Sequence, residues 1–316
     1  MERLTGQTVL VTGGTGLVGG HVIELLLGRG YRVVTTVRSH DPNSYFITKE
    51  LDQKVISVHC DVNDTDRVID VVTRYEIDSI IHLAASAIVT TSYENPAEAI
   101  RTNVLGSVSI LEAARRTPRV HGVILASSDK AYGKLKKIYR EDDPLRGDHP
   151  YEVSKSAADL IANAYWQTYG VPVAITRFGN IYGPGDLHNS RIIPGIMNSL
   201  VHGVPVVLRS DGTYIRDYIY VGDVARAYVF LLERMGKIKG QAFNISSEVS
   251  CSVIELIKRT EKILHKRIRY SIANTSKNEI PYQHLDWEKI KNLGWMPHYS
   301  LRGGILKTLA WYKKYG

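Results

Sequence analysis

One stretch of the sequence decides the fold: Val9-Leu10-Val11-Thr12-Gly13-Gly14-Thr15-Gly16-Leu17-Val18-Gly19. An apolar run typical of a buried strand leads directly into a glycine turn and then into an apolar helix. Gly13 suits a tight turn with positive φ, Gly16 lets a pyrophosphate approach bare backbone, and Gly19 lets the helix pack close to the strand. In this strand–turn–helix context the spacing predicts a dinucleotide site, with the anion at the helix N-terminus. The residues assigned to this cofactor are Gly13, Gly16, Leu17, Val18 and Gly19.

Further along, short apolar runs alternate with amphipathic helical patterns through the first 180 residues. Near-continuous apolar strands are typical of a parallel sheet that is covered on both faces. The pattern therefore predicts an α/β fold with a doubly wound parallel sheet of the Rossmann type. The predicted strands are Thr8–Thr12, Arg32–Arg38, Val55–His59, Ser79–Ala84, Val120–Ser127 and Val173–Arg177. The predicted helices are Leu17–Leu27, Asp64–Tyr75, Ala97–Arg116 and Tyr151–Tyr169.

After Asn180 the alternation loosens and glycine and proline become frequent. The helical pattern Val221–Met235 and the strand-like Ala242–Ser246 indicate returns to the first layer. We therefore expect a dinucleotide-binding domain over residues 1–180, with returns near 221–246. A smaller substrate-binding domain is expected over residues 181–220 and 247–316.

Composition and charge limit the function classes. The chain has 316 residues, 44% of them hydrophobic and 23% charged, which is ordinary for a soluble globular protein. No apolar run reaches the roughly 20 residues that span a bilayer, and Met1–Gly6 show no signal peptide. Without a spanning run we expect no membrane partner. Only two cysteines occur, so we expect no disulfide framework and a reducing, cytoplasmic location. No metal site is expected.

The formal charge of +8 includes the basic clusters Lys134–Lys137 and His265–Arg269. No aromatic-interleaved basic motif or helix-turn-helix pattern accompanies them, so we interpret the clusters as solvated faces and expect no nucleic-acid partner. A positive balance also suits a polyanionic small substrate.

The second predicted strand bears on the choice of dinucleotide. A carboxylate at its end would bind the adenosine ribose and repel a 2′-phosphate. That position falls near Val37, and the strand ends Val37-Arg38-Ser39 without an acid. Arg38 and Ser39 could hold a phosphate, which favours NADP over NAD. The alternative is that Arg38 is only a surface residue after a strand.

Tyr151 and Lys155 lie four residues apart at the start of a predicted helix, so they share one face. A nearby cation favours the phenolate, so Lys155 is expected to lower the pKa of Tyr151. Such a tyrosine can take a proton from a sugar hydroxyl as hydride leaves for nicotinamide. Ser128, at the end of the fifth predicted strand, completes a Ser–Tyr–Lys set.

These segments resemble the extended short-chain dehydrogenase/reductase family, and the resemblance runs almost end to end. It rests on the glycine loop and Tyr151…Lys155, and on His82-Leu83-Ala84-Ala85, Ser127-Ser128-Asp129-Lys130-Ala131-Tyr132-Gly133, Arg177-Phe178-Gly179-Asn180-Ile181-Tyr182-Gly183-Pro184-Gly185, Arg216-Asp217-Tyr218-Ile219-Tyr220-Val221-Gly222-Asp223-Val224 and Leu293-Gly294-Trp295-Met296-Pro297.

The resemblance implies roles for individual residues. Lys155 also holds the nicotinamide ribose, and Asn103 has a structural rather than a catalytic role. The further cofactor residues it implies are Asp61 and Val62 beside adenine, with Leu83, Ala84 and Ala85. The substrate residues it implies are Ser86, Asn180, Arg191 and Arg216, which would bind a nucleotide-diphosphate sugar.

Asp129 and Lys130 follow Ser128 directly. In this family 4-epimerases usually carry a small apolar residue there, whereas 4,6-dehydratases carry two ionisable residues for removing the C5 proton and expelling the C6 hydroxyl. The Asp-Lys pair resembles the CDP-glucose 4,6-dehydratase subgroup and predicts Lys130 as base and Asp129 as acid. A lysine base needs a lowered pKa, for which Lys155 and the oxidised nicotinamide would supply like-charge repulsion.

Several alternatives stay open. The chain is shorter than CDP-glucose dehydratases generally are, so the base and the sugar are undetermined. A 4-epimerase or a 4-keto reductase is the nearest alternative enzyme. A non-catalytic dinucleotide sensor or scaffold is a remote one, because it would not need Ser128, Tyr151 and Lys155.

The resemblance also implies a homodimer. Helices Ala97–Arg116 and Tyr151–Tyr169 match the pair that forms a four-helix dimer interface in this family. The second helix carries apolar surface beyond what one sheet face covers, at Ile161, Ala164, Tyr165 and Tyr169.

Overall fold

The computed structural model describes residues 6–39, 41–275 and 279–316. Met1–Thr5, which belong to the stretch where we expect no signal peptide, lie outside the described residues. Within the described part of the chain, no helix is long and apolar enough to cross a membrane.

A sheet of seven parallel strands forms the centre of the molecule. Its strand order is β10-β6-β5-β4-β1-β2-β3. The chain leaves β1 in both directions along the sheet, so the predicted doubly wound Rossmann fold is confirmed. The strands are β1 Thr8–Thr12, β2 Arg32–Val37, β3 Ile56–His59, β4 Ser79–His82, β5 Gly122–Ala126, β6 Val173–Phe178 and β10 Ala242–Ile245.

Helices cover both faces of this sheet. Val9 and Val11 point into one apolar cluster and Leu10 into the other, because side chains alternate along a strand. The first face carries α1 Leu17–Gly28, α2 Tyr45–Thr48, α9 Val221–Leu232 and α10 Met235–Ile238. The second carries α3 Thr65–Arg74, α6 Gly106–Arg116 and α7 Pro150–Tyr169.

The prediction of one regular helix over Ala97–Arg116 is wrong. The structure has α5 Pro96–Ile100, a π-helical turn Arg101–Leu105, and then α6. In the wide turn Asn103 is buried, and its side chain hydrogen-bonds both the backbone N–H and the backbone C=O of Ser86 and the hydroxyl of Ser154. Asn103 therefore joins the segment after β4 to α7, which agrees with a structural role.

The remaining elements form smaller sheets and helices beside the carboxyl end of the large sheet. One sheet pairs β7 Asn180–Tyr182, β9 Ile215–Tyr220 and β11 Ser250–Ser252, and another pairs β8 Val206–Leu208 with β12 Tyr270–Ile272. The helices are α4 Val89–Glu94, α8 Ile192–His202, α11 Val253–Leu264, α12 Glu288–Asn292 and α13 Leu301–Tyr315. The division into two domains stays a prediction.

Candidate active site

The glycine loop is shaped by close backbone contacts. Gly13 has φ +72°, and a Cβ there would lie 2.7 Å from the backbone N of Ala84, at the end of β4. A Cβ on Gly19 would collide with the backbone of Gly13 and lie 2.6 Å from Gly14 Cα. Both positions therefore exclude a side chain. A Cβ on Gly16 would meet only the Gly13 carbonyl oxygen, at 3.3 Å, so protein packing alone does not require this glycine.

The first turn of α1 fits a bound anion. Gly16 caps the helix without a side-chain hydrogen bond, and the first turn holds no acidic residue. The backbone N–H groups of Leu17, Val18 and Gly19 therefore have no side-chain acceptor. Together with the bare backbone at Gly16, they form a cradle that a pyrophosphate would complete.

A cleft of about 1640 Å³ runs from this loop across the carboxyl ends of the strands. Every residue predicted for cofactor, catalysis or substrate lines it, so the structure brings the whole predicted set together. Ligands of open α/β sheets bind at this end, beside the point where the strand order reverses, which here lies between β1 and β4. The individual roles stay predictions.

Lys155 and Tyr151 lie side by side on the first turns of α7, both buried. The Lys155 ammonium donates to the backbone oxygen of Ala126 at 2.8 Å, and burial lowers the pKa of this lysine to about 8. The expected lowering of the Tyr151 pKa by Lys155 is wrong for the protein alone. Burial raises the pKa of the phenol, and a hydrogen bond with Ser128 opposes that rise.

Ser128, Asp129 and Lys130 form a compact set at the end of β5. Ser128 caps a 3-10 helix, Asp129–Tyr132, and its hydroxyl donates to Asp129 Oδ1 at 3.1 Å. Lys130 Nζ lies 3.7 Å from the same oxygen and donates to Asn180 Oδ1 at 3.4 Å. Burial raises the pKa of Asp129, against the opposing effects of Lys130 and the Ser128 hydroxyl. A carboxyl group in these surroundings is suited to donating a proton.

The predicted substrate arginines both have carboxylate partners. Arg191 lies 3.3 Å from Asp186, and Arg216 lies 3.4 Å from Glu279. Both arginines line the cleft. Arg38, at the end of β2, lies 3.3 Å from Glu98 and is largely exposed.

Sequence reasoning missed two buried polar residues of the cleft. Gln283 donates from Nε2 to Asp129 Oδ2 at 2.8 Å, and its Oε1 has no hydrogen-bond partner. His149 Nε2 lies 3.0 Å from Glu152 Oε1, and the imidazole stacks on Tyr93. Gln283 lies far from the other motifs, and no spacing connects it to them. His149, two residues before Tyr151, could have been found by its place at the start of α7.

Residues 9–246 match the NAD dependent epimerase/dehydratase family. The chain belongs to this family. The family predicted from the sequence is confirmed, and so is a nicotinamide dinucleotide as the class of cofactor.

Relatives of the chain are nucleotide-sugar enzymes. It is 30% identical to the human dTDP-D-glucose 4,6-dehydratase over 98% of this chain and 90% of that protein. It is also 30% identical to an Arabidopsis thaliana trifunctional UDP-glucose 4,6-dehydratase/3,5-epimerase/reductase, over 97% of this chain. The chain spans 47% of that longer protein.

Solved structures of family members have the same fold over nearly the whole chain. Bacillus anthracis dTDP-glucose 4,6-dehydratase in complex with NAD superposes with a TM-score of 0.85 at 26% identity, covering 98% of this chain and 97% of that one. Thermotoga maritima UDP-glucose 4-epimerase with UDP-glucose superposes with a TM-score of 0.87 at 28% identity, covering 98% and 99%. The predicted enzyme class, a nucleotide-sugar dehydratase with a 4-epimerase as its nearest alternative, agrees with both groups of family members.

Proposed function

We propose that the protein is a nucleotide-sugar 4,6-dehydratase that forms an NDP-4-keto-6-deoxyhexose. The observation that carries the proposal is the pair Asp129 and Lys130 beside Ser128 and Tyr151, in the cleft that holds the glycine loop. An epimerase moves a hydride and one proton at C4 and has no use for two more ionisable groups there. An elimination across C5 and C6 needs both a base and an acid.

In this reaction each side chain handles one proton. Tyr151 accepts the proton of the C4 hydroxyl, a step that requires the phenolate, and the resulting ketone acidifies the C5 hydrogen. Lys130 removes the C5 proton, and Asp129 gives its proton to the C6 oxygen, which leaves as water. Lys130 then returns a proton to C5. The raised pKa of Asp129 supports its role as the acid, because the carboxyl keeps its proton at higher pH than an exposed aspartate does.

A dinucleotide held in the cleft would supply a reversible acceptor for the hydride that passes from C4 to C6, so the reaction would consume no external reductant. We assign its pyrophosphate to the glycine loop, its adenine to Asp61 and Val62, and its nicotinamide ribose to Tyr151 and Lys155. Leu83, Ala84 and Ala85 would contact it from the end of β4. The buried ammonium of Lys155, fixed on the Ala126 carbonyl, supports this placement because it is held rigidly beside the phenol.

We propose NADP rather than NAD as the preferred dinucleotide. Arg38 and Ser39 line the cleft after β2, and no carboxylate follows that strand until Asp41. The ion pair of Arg38 with Glu98 leaves the guanidinium largely exposed, so it can turn towards a 2′-phosphate. The Bacillus anthracis dehydratase named above carries NAD, so this preference would distinguish the chain from it.

The substrate is assigned to the nucleotide-diphosphate sugars. Asn180, Arg191 and Arg216 line the cleft on the side of the smaller sheets, and two of them are cations that suit a diphosphate. Ser86 lines it at the end of β4. CDP-glucose is the first substrate to test because of the Asp-Lys pair, followed by the dTDP- and UDP-glucose named for the relatives.

One experiment tests the reaction. Purified protein is incubated in heavy water with NADP or NAD and each nucleotide sugar, and the products are analysed by mass spectrometry and NMR. We expect a product that is lighter by one water and carries deuterium at C5. A product of unchanged mass and inverted C4 would instead make the protein a 4-epimerase, the reaction named for the superposed Thermotoga maritima enzyme.

We also propose that the protein is a homodimer and lies in the cytoplasm. Leu105, Val153, Leu160 and Tyr169 are large apolar residues exposed on the two helical segments expected at the interface. Of the four residues named from the sequence, Ile161 and Tyr165 pack against the core. The exposed apolar stripe on α7 is therefore formed by Val153 and Leu160 with Tyr169. Cys60 and Cys251 are both buried free thiols, which suits a reducing compartment.

A further inference from the structure

A buried histidine of the cleft takes no part in the proposed proton transfers. His149 and Glu152 line the cleft beside Tyr151, and all three side chains are at least nine-tenths buried. His149 occupies the N-cap position of α7, but its side chain makes no hydrogen bond to the first turn of that helix. Capping of the helix therefore does not explain why an imidazole lies here.

One nitrogen of this imidazole has a partner and the other has none. Nε2 lies 3.0 Å from Glu152 Oε1. The second oxygen of Glu152, Oε2, accepts from the backbone N–H of Asp148 at 3.1 Å, which holds the carboxylate in place. A carboxylate so close to Nε2 favours a proton on that nitrogen. Nδ1 is buried and has no hydrogen-bond partner among the residues that the structure describes.

Neighbouring aromatic rings hold the imidazole beside the phenol of Tyr151. The ring centre of His149 lies 5.0 Å from that of Tyr93 and 6.5 Å from that of Tyr151, with interplanar angles of 29° and 28°. These stacked contacts restrict the orientation of the ring. A buried polar atom without a partner costs free energy, so a ligand that supplies the missing hydrogen bond would bind more tightly.

A sugar hydroxyl is the group that suits this nitrogen. When the proton is on Nε2, the neutral imidazole has a lone pair at Nδ1, which accepts a hydrogen bond and cannot donate one. The ligand group must therefore be a donor. Ionised phosphate oxygens only accept, whereas each hydroxyl of a hexose can donate.

The position of His149 indicates which hydroxyl it would bind. In the proposed function Tyr151 acts on the C4 hydroxyl, while Asp129 and Lys130 act at C6 and C5. Of the two ring carbons bonded to C4, only C3 then remains without a protein partner. We propose that His149 binds the C3 hydroxyl of the hexose through Nδ1, and that it selects nucleotide sugars that carry this hydroxyl. The assignment to C3 rests on the proposed function.

The preference for the C3 hydroxyl, measured as a ratio of kcat/KM values, tests this proposal. CDP-, dTDP- and UDP-glucose are each compared with the 3-deoxy analogue. We expect the unmodified protein to prefer the parent sugar by at least about tenfold, because the analogue leaves a buried nitrogen unpaired. His149→Gln should lower this preference about tenfold. Differences in intrinsic reactivity between the two sugars cancel when the two proteins are compared.

Three variants distinguish the two nitrogens and the stacked ring. The longer amide of His149→Gln can reach Glu152 but places no polar atom where Nδ1 was. The shorter amide of His149→Asn takes the place of Nδ1, so this variant should keep most of the preference. Tyr93→Phe keeps the stacked ring and removes only the phenolic hydroxyl, so its preference should equal that of the unmodified protein.

The outcomes separate the role of His149 from the reaction itself. If the product is lighter by one water but His149→Gln keeps the full preference, the role of His149 is refuted and the dehydratase stands. An unmodified protein that shows no preference also refutes this role, whatever the variants do. If His149→Gln forms no product, isothermal titration with both sugars replaces the kinetics, and an unchanged ratio of affinities overturns the proposal. Products of unchanged mass only would refute the dehydratase.

Discussion

The side-chain amide of Gln283 donates to Asp129 Oδ2 at 2.8 Å, across 154 residues of sequence. The segment that carries Gln283 is fixed to β9 by two backbone hydrogen bonds, from Ile215 to Pro281 at 3.0 Å and from Gln283 to Ile215 at 3.1 Å. The amide is therefore held rigidly, and with it the orientation of the carboxyl. The last part of the chain thus contributes a hydrogen-bond donor to a site whose acid–base residues come from the first half of the chain.

Replacing Gln283 by leucine should slow the elimination and spare the oxidation at C4. The leucine keeps the volume but removes the hydrogen bond that orients Asp129, while Ser128 and Tyr151 stay in place. We expect the elimination rate to fall about ten- to a hundredfold, as when a positioned proton donor loses its geometry. Stopped-flow absorbance of the reduced dinucleotide separates the steps, because it should form at the normal rate and decay slowly. Equal slowing of both phases would show that Gln283 acts on the fold and not on the acid.

The proposed acid, base and oxidising residue should have separable phenotypes. Tyr151→Phe removes the proton acceptor for the C4 hydroxyl, so no reduced dinucleotide should form. Asp129→Asn and Lys130→Met leave that step intact, so reduced dinucleotide should accumulate without loss of water. With Lys130→Met deuterium should also fail to enter C5, whereas Asp129→Asn should still allow exchange there. The decisive contrary result is deuterium at C5 with Lys130→Met, which would assign the base to another residue.

Most of the large sheet could be predicted from the sequence, because each of its strands is a short apolar run bounded by polar turns. β1, for example, is buried along its whole length and matches the predicted bounds. The helix over Ala97–Arg116 was less regular than its apolar pattern indicated, since the buried amide of Asn103 lies in a π-helical turn. Hydrophobic periodicity indicates which face of a helix is buried, but it does not indicate where one turn of the helix widens.

The site was predictable where chemistry follows a motif along the chain. The glycine loop, Ser128 and Tyr151 with Lys155 each lie next to a strand or helix end that the sequence indicates. The direction of the shift in the Tyr151 pKa could not be predicted, because it depends on how deeply the phenol is buried once the helices pack. Gln283 was missed for a similar reason, since only the folded chain brings it to Asp129.

The dinucleotide preference should depend on Arg38. We expect the unmodified protein to bind NADP more tightly than NAD, because the guanidinium attracts the 2′-phosphate. Arg38→Asp should reverse the order by adding repulsion to the phosphate and an acceptor for the ribose. Glu98→Gln removes the partner of Arg38 and should strengthen NADP binding without weakening NAD. Isothermal titration with both dinucleotides checks all three proteins, and equal affinities for the unmodified one would refute the inference.

The buried ion pair between Arg177 and Asp159 should contribute more to the free energy of unfolding than an exposed ion pair does. Both side chains are buried, and the guanidinium binds the carboxylate with two hydrogen bonds of 2.8 and 2.9 Å. Asp159→Asn leaves a buried cation without its counter-charge, so the free energy of unfolding should fall by about 3 kcal/mol. Asp70→Asn, in a half-exposed pair with Arg67, should cost less than about 1 kcal/mol. Urea unfolding followed by circular dichroism compares the two, and similar losses would contradict the assignment.

The exposed apolar stripe on α7 should be the core of a dimer interface. Leu160 and Leu105 are 56% and 53% exposed, and they lie on helical segments that pack side by side. Covering such exposed apolar side chains with a partner lowers the free energy. A two-fold axis would pair each stripe with its copy and form four helices. We expect a dimer by light scattering at micromolar concentration, and a monomer for Leu160→Glu because the charge would have to lose its hydration in the interface.

Leu306→Glu, at a residue 43% exposed on α13, should stay dimeric. A monomeric unmodified protein would refute the proposal. Dissociation of the Leu306→Glu protein alone would place the interface on the other side of the molecule.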